Sequence, residues 1–400
     1  QAEVVEHEHP FGLGFLSALF ACDHITVRSK SGLLSSQTES ILTFNPVSIT
    51  PIDDWDGITI ITLIGVKTGI DDIAHALKKL SKGFPIPVFF NGSSLPRPYS
   101  LDSGLKFTET KIGEIHLAGV EQADGNRHGS FVVFLQGLPI YTNYAFFDHP
   151  VYDKNLHIIH LDSVQFFARL PDREKLIDED KIIDQVKRVL AETLASYFER
   201  IKPTIAAEVF VQYYWIMFNW NLLKLLNDVP AVPCEVLKQF IGYPICDDNH
   251  GEFLAGLDKP ITQDALHQRD VVVIEDDMRE DGAGRYMFAW TRDSLVYSGC
   301  LDDGHWLHPL IRNLSEEEVR VETESISNEA WFVGNWVDVS VVFCRSYRIF
   351  MGNDAVEIDD EACYLGSAKE DQIVMPSRAN GSYALAQVAT FANEFDDFQE

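Results

Sequence analysis

Two periodicities of hydrophobic residues organise this chain. Between Asp180 and Arg200 the apolar positions Ile182, Ile183, Val186, Val189, Leu190, Leu194, Tyr197 and Phe198 recur in steps of three and four. That spacing predicts one long helix with a single buried stripe. A shorter helix is predicted in GIDDIAHALKKLSKGF, where Ile73, Ala76, Leu77 and Leu80 share a face. Asp71 or Asp72 is placed to cap its start and Gly83 to stop it. Strands are expected from Ile25 to Ser29, in the β-branched run GITIITLIGV from Gly57 to Val66, and in IPVFFNG. LKFTETKIGEIHLAGV, GSFVVFLQGLPIYTN and NLHIIHLDSVQFFARL continue the series, with DGNRHG as a hairpin signal between the first two. After Pro203 the pattern changes. One long apolar helix is predicted within residues 205–226 and a shorter one near CEVLKQF. Strands are expected next in VVVIEDD, GRYMFAWTRDSLVYS, EVRVETESI, WVDVSVVFCRSYRIFMG and DAVEIDDEACYLG.

These elements predict an α+β fold made of α/β sandwich domains. The turn-rich NGSSLPRP and the change at Pro203 divide the chain into residues 1–95, 96–202 and 203–400. With 46% hydrophobic and 12% aromatic residues, each part can bury a core. The net charge of -29 alters the functional picture, because so acidic a surface repels phosphate backbones. General nucleic-acid binding is therefore not expected, and Lys78, Lys79 and Lys82 read as a solvated helix face. Cys22, Cys234, Cys246, Cys300, Cys344 and Cys363 show no paired spacing, as for free thiols in a reducing, cytoplasmic setting. IAAEVFVQYYWIMFNWNLLKLL is long enough to span a bilayer, but Glu208, Gln212, Asn219 and Asn221 interrupt it and no basic flank orients it. A buried helix is expected there, and no membrane association.

The candidate chemistry lies near the start, in HPFGLGFLSALFACDHITVRSKSG, residues 9–32. Glycines let a backbone approach an anion, and the free N–H groups at a helix N-terminus attract phosphate oxygens. Taken alone, Gly-Leu-Gly is a helix-initiating turn. In its setting, FGLGFLSALFACDHITVRSKSG resembles the last nucleotide-binding motif of the GHKL ATPases. That class includes the ninety-kilodalton heat-shock chaperones, MutL, type II topoisomerases and histidine kinases. The order of the downstream segments is also similar: a G-x-T-type strand at Gly57 to Leu63, then the linker helix and strand IDDIAHALKKLSKGFPIPVFFNG, then a second α/β domain. The likeness covers about residues 9–200 and rests on motif order.

The resemblance implies an ATP-driven conformational switch. Gly12, Leu13, Gly14 and Phe15 would line the triphosphate, and the Thr59 hydroxyl would stand near the adenine. Arg173, in FARLPDREKLID, would reach the terminal phosphate, as an arginine in an S-R-E segment does in the chaperones. Arg169 is the second candidate, and an ion pair of Arg173 with Glu174 or Asp178 is the structural reading of the same residue. The family's catalytic Glu, its magnesium-holding Asn and its D-x-G-x-G turn lie upstream of the glycine pair, and residues 1–8 do not contain them. A truncated nucleotide domain is therefore expected, with ATP and Mg2+ as cofactors of the whole protein and no hydrolysis by this chain alone. His9 and Pro10 replace a further glycine, Ile58 displaces the threonine by one place, and Leu170 and Ile177 replace polar companions of the arginine. These departures fit MutL-like or phage rapid-lysis relatives equally well. The third domain would bind a protein client or partner, and a homodimer is compatible with the layout. The competing expectation is a nucleotide-independent scaffold that keeps the fold, in phage defence or lysis control.

Other constellations carry less. CLDDGHWLHPL sets His305 and His308 three apart beside Asp302 and Asp303, a pattern open to a metal but completed by no second cluster, so no metal site is assigned. EHEH at residues 6–9 has the same look and less behind it. VIEDDMREDGAG, residues 273–284, lacks EF-hand spacing and reads as a solvated hairpin tip. Ser17 lies outside any G-x-S-x-G, and the aromatics from Tyr213 to Trp220 have no interleaved basic residues.

Overall fold

A computed structural model of the chain describes residues 17–123, 126–143, 156–169, 175–244, 253–275, 282–332, 338–366 and 372–381. The fold is α+β, with one long helix, several shorter ones and seven sheets among these residues. Two compact units form, residues 1–118 with 130–189 and residues 119–129 with 190–400.

The first unit opens with a helix over residues 17–21, here α1. It leads into a four-stranded sheet of order β3-β2-β1-β4, with β1 at His24–Ser29, β2 at Gly32–Gln37, β3 at Ile49–Thr50 and β4 at Ile60–Ile64. Ser29 pairs with Gly32 across a two-residue turn, and Gly32 takes a φ of 128°. A side chain at Gly32 would meet the Thr50 carbonyl oxygen at 2.5 Å, so glycine is required where β3 closes on β2. Ile25 and Val27 face a small core with Leu19, Cys22, Leu34 and Leu63, while His24, Thr26 and Arg28 alternate to the other side.

Helix α3 (Ile70–Ser81) comes next, after the short α2 (Thr38–Leu42). Its cap is Gly69, not an aspartate. Asp71 and Asp72 occupy the first turn, where their charge favours the helix N-terminus without a capping hydrogen bond. The helix ends at Lys82, and Gly83 lies so close to Phe134 that a methyl group there would stand 2.4 Å from the ring. IPVFFNG gives only the short β5 (Phe89–Phe90), paired with β6 (Ser93–Ser94). The larger sheet of this unit has order β10-β9-β11-β8-β7, with β7 at Thr108–Thr110, β8 at Gly113–His116, β9 at Ser130–Leu135, β10 at Leu138–Thr142 and β11 at Leu156–Leu161. The hairpin expected at DGNRHG does not form, because β11 inserts between β8 and β9, parallel to β9 and antiparallel to β8. All six residues of β11 are buried, His157 and His160 included. Each histidine is satisfied by the backbone: His157 Nδ1 accepts from the Ala118 N–H at 3.0 Å, and His160 Nε2 donates to the Tyr99 carbonyl at 2.7 Å.

Helix α4 (Glu179–Ile201) matches the predicted stripe, with Ile183, Val186, Val189, Leu190, Leu194 and Phe198 all buried. In the second unit Phe198 packs against Tyr213, ring centres 5.2 Å apart, and Phe210, 6.2 Å apart. The single long helix expected over 205–226 is absent. Instead α5 (Ala207–Phe210), a 3-10 turn at Val211–Tyr213, α6 (Tyr214–Asn219) and a 3-10 turn at Leu223–Leu226 succeed one another. Aromatic and β-branched residues hold a helix weakly, and here the aromatics have competing tertiary partners. The Tyr197 and Tyr213 hydroxyls both donate to the Val120 carbonyl, Trp220 Nε1 donates to the His128 carbonyl, and Arg127 lies 4.4 Å over the Trp215 ring. Asn221, with a φ of 55°, completes the break. No helix among the described residues is long and apolar enough to cross a membrane.

CEVLKQF forms a 3-10 turn and then β13 (Leu237–Phe240), not a helix. Just before it β12 (Ala231–Val232) pairs with β15 (Ile261–Thr262), which leads into the one-turn helix α7 (Gln263–Leu266). GRYMFAWTRDSLVYS, expected as strand, forms helix α8 (Gly284–Thr291) and then β17 (Leu295–Tyr297). With β14 (Leu254–Gly256), β16 (Val271–Val273) and β18 (Ile311–Asn313), these strands build a sheet of order β14-β13-β17-β16-β18. A three-stranded sheet of order β19-β22-β23 joins β19 (Val319–Glu324), β22 (Ser346–Met351) and β23 (Asp354–Ile358). The last sheet has order β20-β21-β25-β24, from β20 (Asn328–Phe332), β21 (Val339–Cys344), β24 (Cys363–Leu365) and β25 (Gln372–Pro376). Helix α8 buries Met287, Phe288 and Ala289 in the core built by Tyr347, Ile349, Tyr364 and Val374.

Candidate functional site

The residues of the first sheet decide what this part of the molecule offers a ligand. Helix α1 is anchored to the sheet by backbone bonds: the Lys67 N–H donates to the Ala21 carbonyl and the Asp23 N–H to the Ile64 carbonyl, each at 3.0 Å. Thr38 adds a side-chain clamp, its hydroxyl donating to the carbonyls of Cys22 at 2.8 Å and Asp23 at 3.1 Å. The segment leading into β4 is fixed from the other end. Arg28 bonds the Asp54 carbonyl at 2.8 Å and pairs with the Asp54 and Asp56 carboxylates at 3.2 and 3.7 Å. Trp55 Nε1 donates to the Ile58 carbonyl at 2.9 Å, two residues ahead of β4.

Strand alternation then sets the face. Leu63 pairs with Ile25 and Ile61 with Val27, so Ile61 shares the face on which α1 packs. Leu63 is covered there, whereas Ile61 and Thr59 are exposed. The opposite side of β4 exposes Ile60 and Ile64, two isoleucines at the edge of the sheet.

Gly12, Leu13, Gly14 and Phe15 lie outside the described residues, as does Arg173. What the structure describes is the helix that comes after the glycine pair, and Thr59, exposed one residue ahead of β4. A cavity of about 330 Å³ beside α1 is lined by Asp23, Glu39 and Lys67 among others. Lys67 pairs with Asp23 at 3.8 Å. Asp23 and Glu39 against Lys67 give the described lining of this cavity a net negative charge, which disfavours an anion. The Arg28 clamp, the Thr38 latch and this cavity have no signal in the sequence, because each joins residues that only the fold makes neighbours.

No family model and no curated protein matches this chain.

Around the Arg173 segment, Phe167–Arg169 and Lys175–Ile177 run antiparallel, with Arg169 N–H donating to the Lys175 carbonyl at 2.7 Å and the Ile177 N–H to the Phe167 carbonyl at 3.0 Å. The Ala168–Leu176 bridge closes this ladder. Arg169 is exposed.

The histidine pair in CLDDGHWLHPL is structural. His305 is 1% exposed and its Nδ1 accepts from the Leu307 N–H at 3.1 Å, while His308 Nε2 donates to the Asp302 carbonyl at 3.1 Å. Asp302 is itself spoken for by Asn227 Nδ2 at 2.6 Å and the Gly304 N–H at 3.1 Å, which hold its carboxyl below the usual range. Among the described residues no group of three histidine, cysteine or acidic side chains is placed to hold a metal. The five described cysteines are free, and Cys246 lies outside the described residues.

Proposed function

We propose that this chain belongs to an ATP-driven conformational switch of the GHKL class, with chaperone-like action on a protein partner. One observation carries the reading. The sheet of order β3-β2-β1-β4 packs α1 on the face that carries Ile25 and Leu63, and on that face of β4 Ile61 is exposed, with Thr59 exposed just ahead of the strand. The reading puts a nucleotide there. The Thr59 hydroxyl and the flat flank of Ile61 suit a heteroaromatic base, and the N–H groups at the start of α1, after Gly12 and Gly14, suit the triphosphate. Residues upstream of the glycine pair would cover the remaining isoleucines and supply the general base and the Mg2+ ligand. Bound ATP supplies a phosphoanhydride and a charge that changes on hydrolysis. Arg173 would stabilise the charge that develops on the transferred phosphoryl, and its departure after hydrolysis would release the protein partner.

The test uses the whole protein as its gene encodes it. ATP binding is measured directly, and turnover is compared with that of Arg173→Ala. A loss of turnover of about a thousandfold, with ATP still bound, is expected. Unchanged turnover removes Arg173 from the reaction. Absence of nucleotide binding overturns the whole reading in favour of a nucleotide-independent scaffold.

A further inference from the structure

In the second unit, β20 (Asn328–Phe332) is the described sheet-ending strand that carries a large, mostly exposed apolar side chain. Trp331 is 69% exposed, and Ile326, just ahead of the strand, is 54% exposed. β20 pairs with β21 (Val339–Cys344) on one side, and among the described residues its outer N–H and C=O groups meet no other strand. Glu329 stands two residues from Trp331 and so on the same face, and it is exposed. Asp338, at the entry to β21, is exposed too, and neither carboxylate has an ion-pair partner among the described residues.

The charge of the second unit, with Glu329 and Asp338 exposed at this edge, selects its occupant. The second unit holds 39 acidic residues and 16 basic ones, which is -23 of the total of -29. A second copy meeting β20 edge to edge would bring the same excess against itself, and that repulsion disfavours self-pairing. A cationic strand meets no such cost.

We infer that β20 is the docking edge for an extended, lysine- or arginine-rich segment of a partner protein. The segment adds to the sheet as a further strand. One cationic side chain lies over the Trp331 indole, and another, two residues along the peptide, reaches Glu329. This inference is independent of the nucleotide reading, since nothing in the first unit enters it.

The experiment titrates the full chain with a blocked peptide of alternating lysine and valine, about twelve residues long. Calorimetry gives the affinity, and amide exchange across residues 328–332 gives the location. A second peptide carries N-methyl groups at alternate residues, which keeps its charge but removes its donors toward the edge. The parent peptide is expected to slow exchange in β20, and the N-methylated one to bind at least about tenfold more weakly. Trp331→Ser, at an exposed site the fold tolerates, is expected to weaken binding about fivefold. Glu329→Lys is expected to weaken it further at low salt. Equal affinity for the two peptides, slowed exchange elsewhere than β20, or an indifferent Trp331→Ser each overturn the proposal. So does concentration-dependent self-association that Trp331→Ser abolishes.

Discussion

His305 occupies a turn in which its own neighbours leave no place for a positive charge. Burial lowers its pKa first, the nearby His308 adds to the effect, and Asp302 opposes both; the result is a value of about 4. Asp302 is occupied by Asn227 and Gly304, so it offers little compensation. The folded pKa thus lies below the unfolded value of about 6.5. Between these limits the unfolded chain binds more protons, so stability falls as pH drops from about 6.5 to about 4 and levels off below. The full effect is at most about 3 kcal/mol. Denaturant unfolding at a series of pH values is expected to show this slope, and His305→Phe is expected to flatten it while lowering stability at neutral pH through loss of the Leu307 bond. An unaltered slope in the variant would place the titration elsewhere. The histidine pair was visible in the sequence, but its role was not. The same two residues three apart serve a metal or a turn, and only the Nδ1 bond to Leu307 separates the two.

At the scale of elements, α4 was legible because its stripe is long and regular, and the fold buries every residue the stripe nominated except the flanking Ile182 and Tyr197, which are half-covered. Phe198 closes that stripe at full burial, with Tyr213 and Phe210 against it. Phe198→Ala is expected to cost about 3–5 kcal/mol, read as a lower denaturant midpoint with an unchanged slope. A cost below about 1 kcal/mol would mean that the surrounding aromatics collapse into the space. Where local pattern failed, tertiary partners had overruled it. Residues 207–226 look like one helix until the carbonyls of Val120 and His128 claim the hydroxyls and the indole. GRYMFAW is too short for period to separate strand from helix, and the core around Tyr347 and Tyr364 decides for helix. The β8–β9 connection resembled a hairpin because its turn residues were right, yet β11 outcompetes β9 for the edge of β8. In the first sheet, the strands at Ile25 to Ser29 and within Gly57 to Val66 were legible in the sequence, whereas the bonds that Arg28 makes to Asp54 and Trp55 to Ile58 join residues that carry no shared pattern.

Over the whole molecule the charge is unequally shared. The first unit carries 22 acidic and 16 basic residues, against 39 and 16 in the second. Several of the second unit's cations are already committed: Arg312 bonds Glu317 at 2.6 Å and Asp354 at 2.7 Å, and Arg269 and Arg292 pair with Asp293 and Asp270 at 2.8 and 2.6 Å. The remaining carboxylates repel one another in the folded state, and dissolved salt screens that repulsion. Raising ionic strength from about 0.01 M, where the Debye length is about 30 Å, to about 0.1 M, where it is about 10 Å, should therefore stabilise the second unit selectively. Amide exchange measured at both salt concentrations is expected to slow in the core around Tyr347 and Val374 and to change little in β9 and β11 of the first unit. Equal slowing in both units would show that salt acts through hydrophobic burial common to them and not through charge. The same screening weakens any cationic strand held at β20, so salt that steadies the second unit should also loosen its partner.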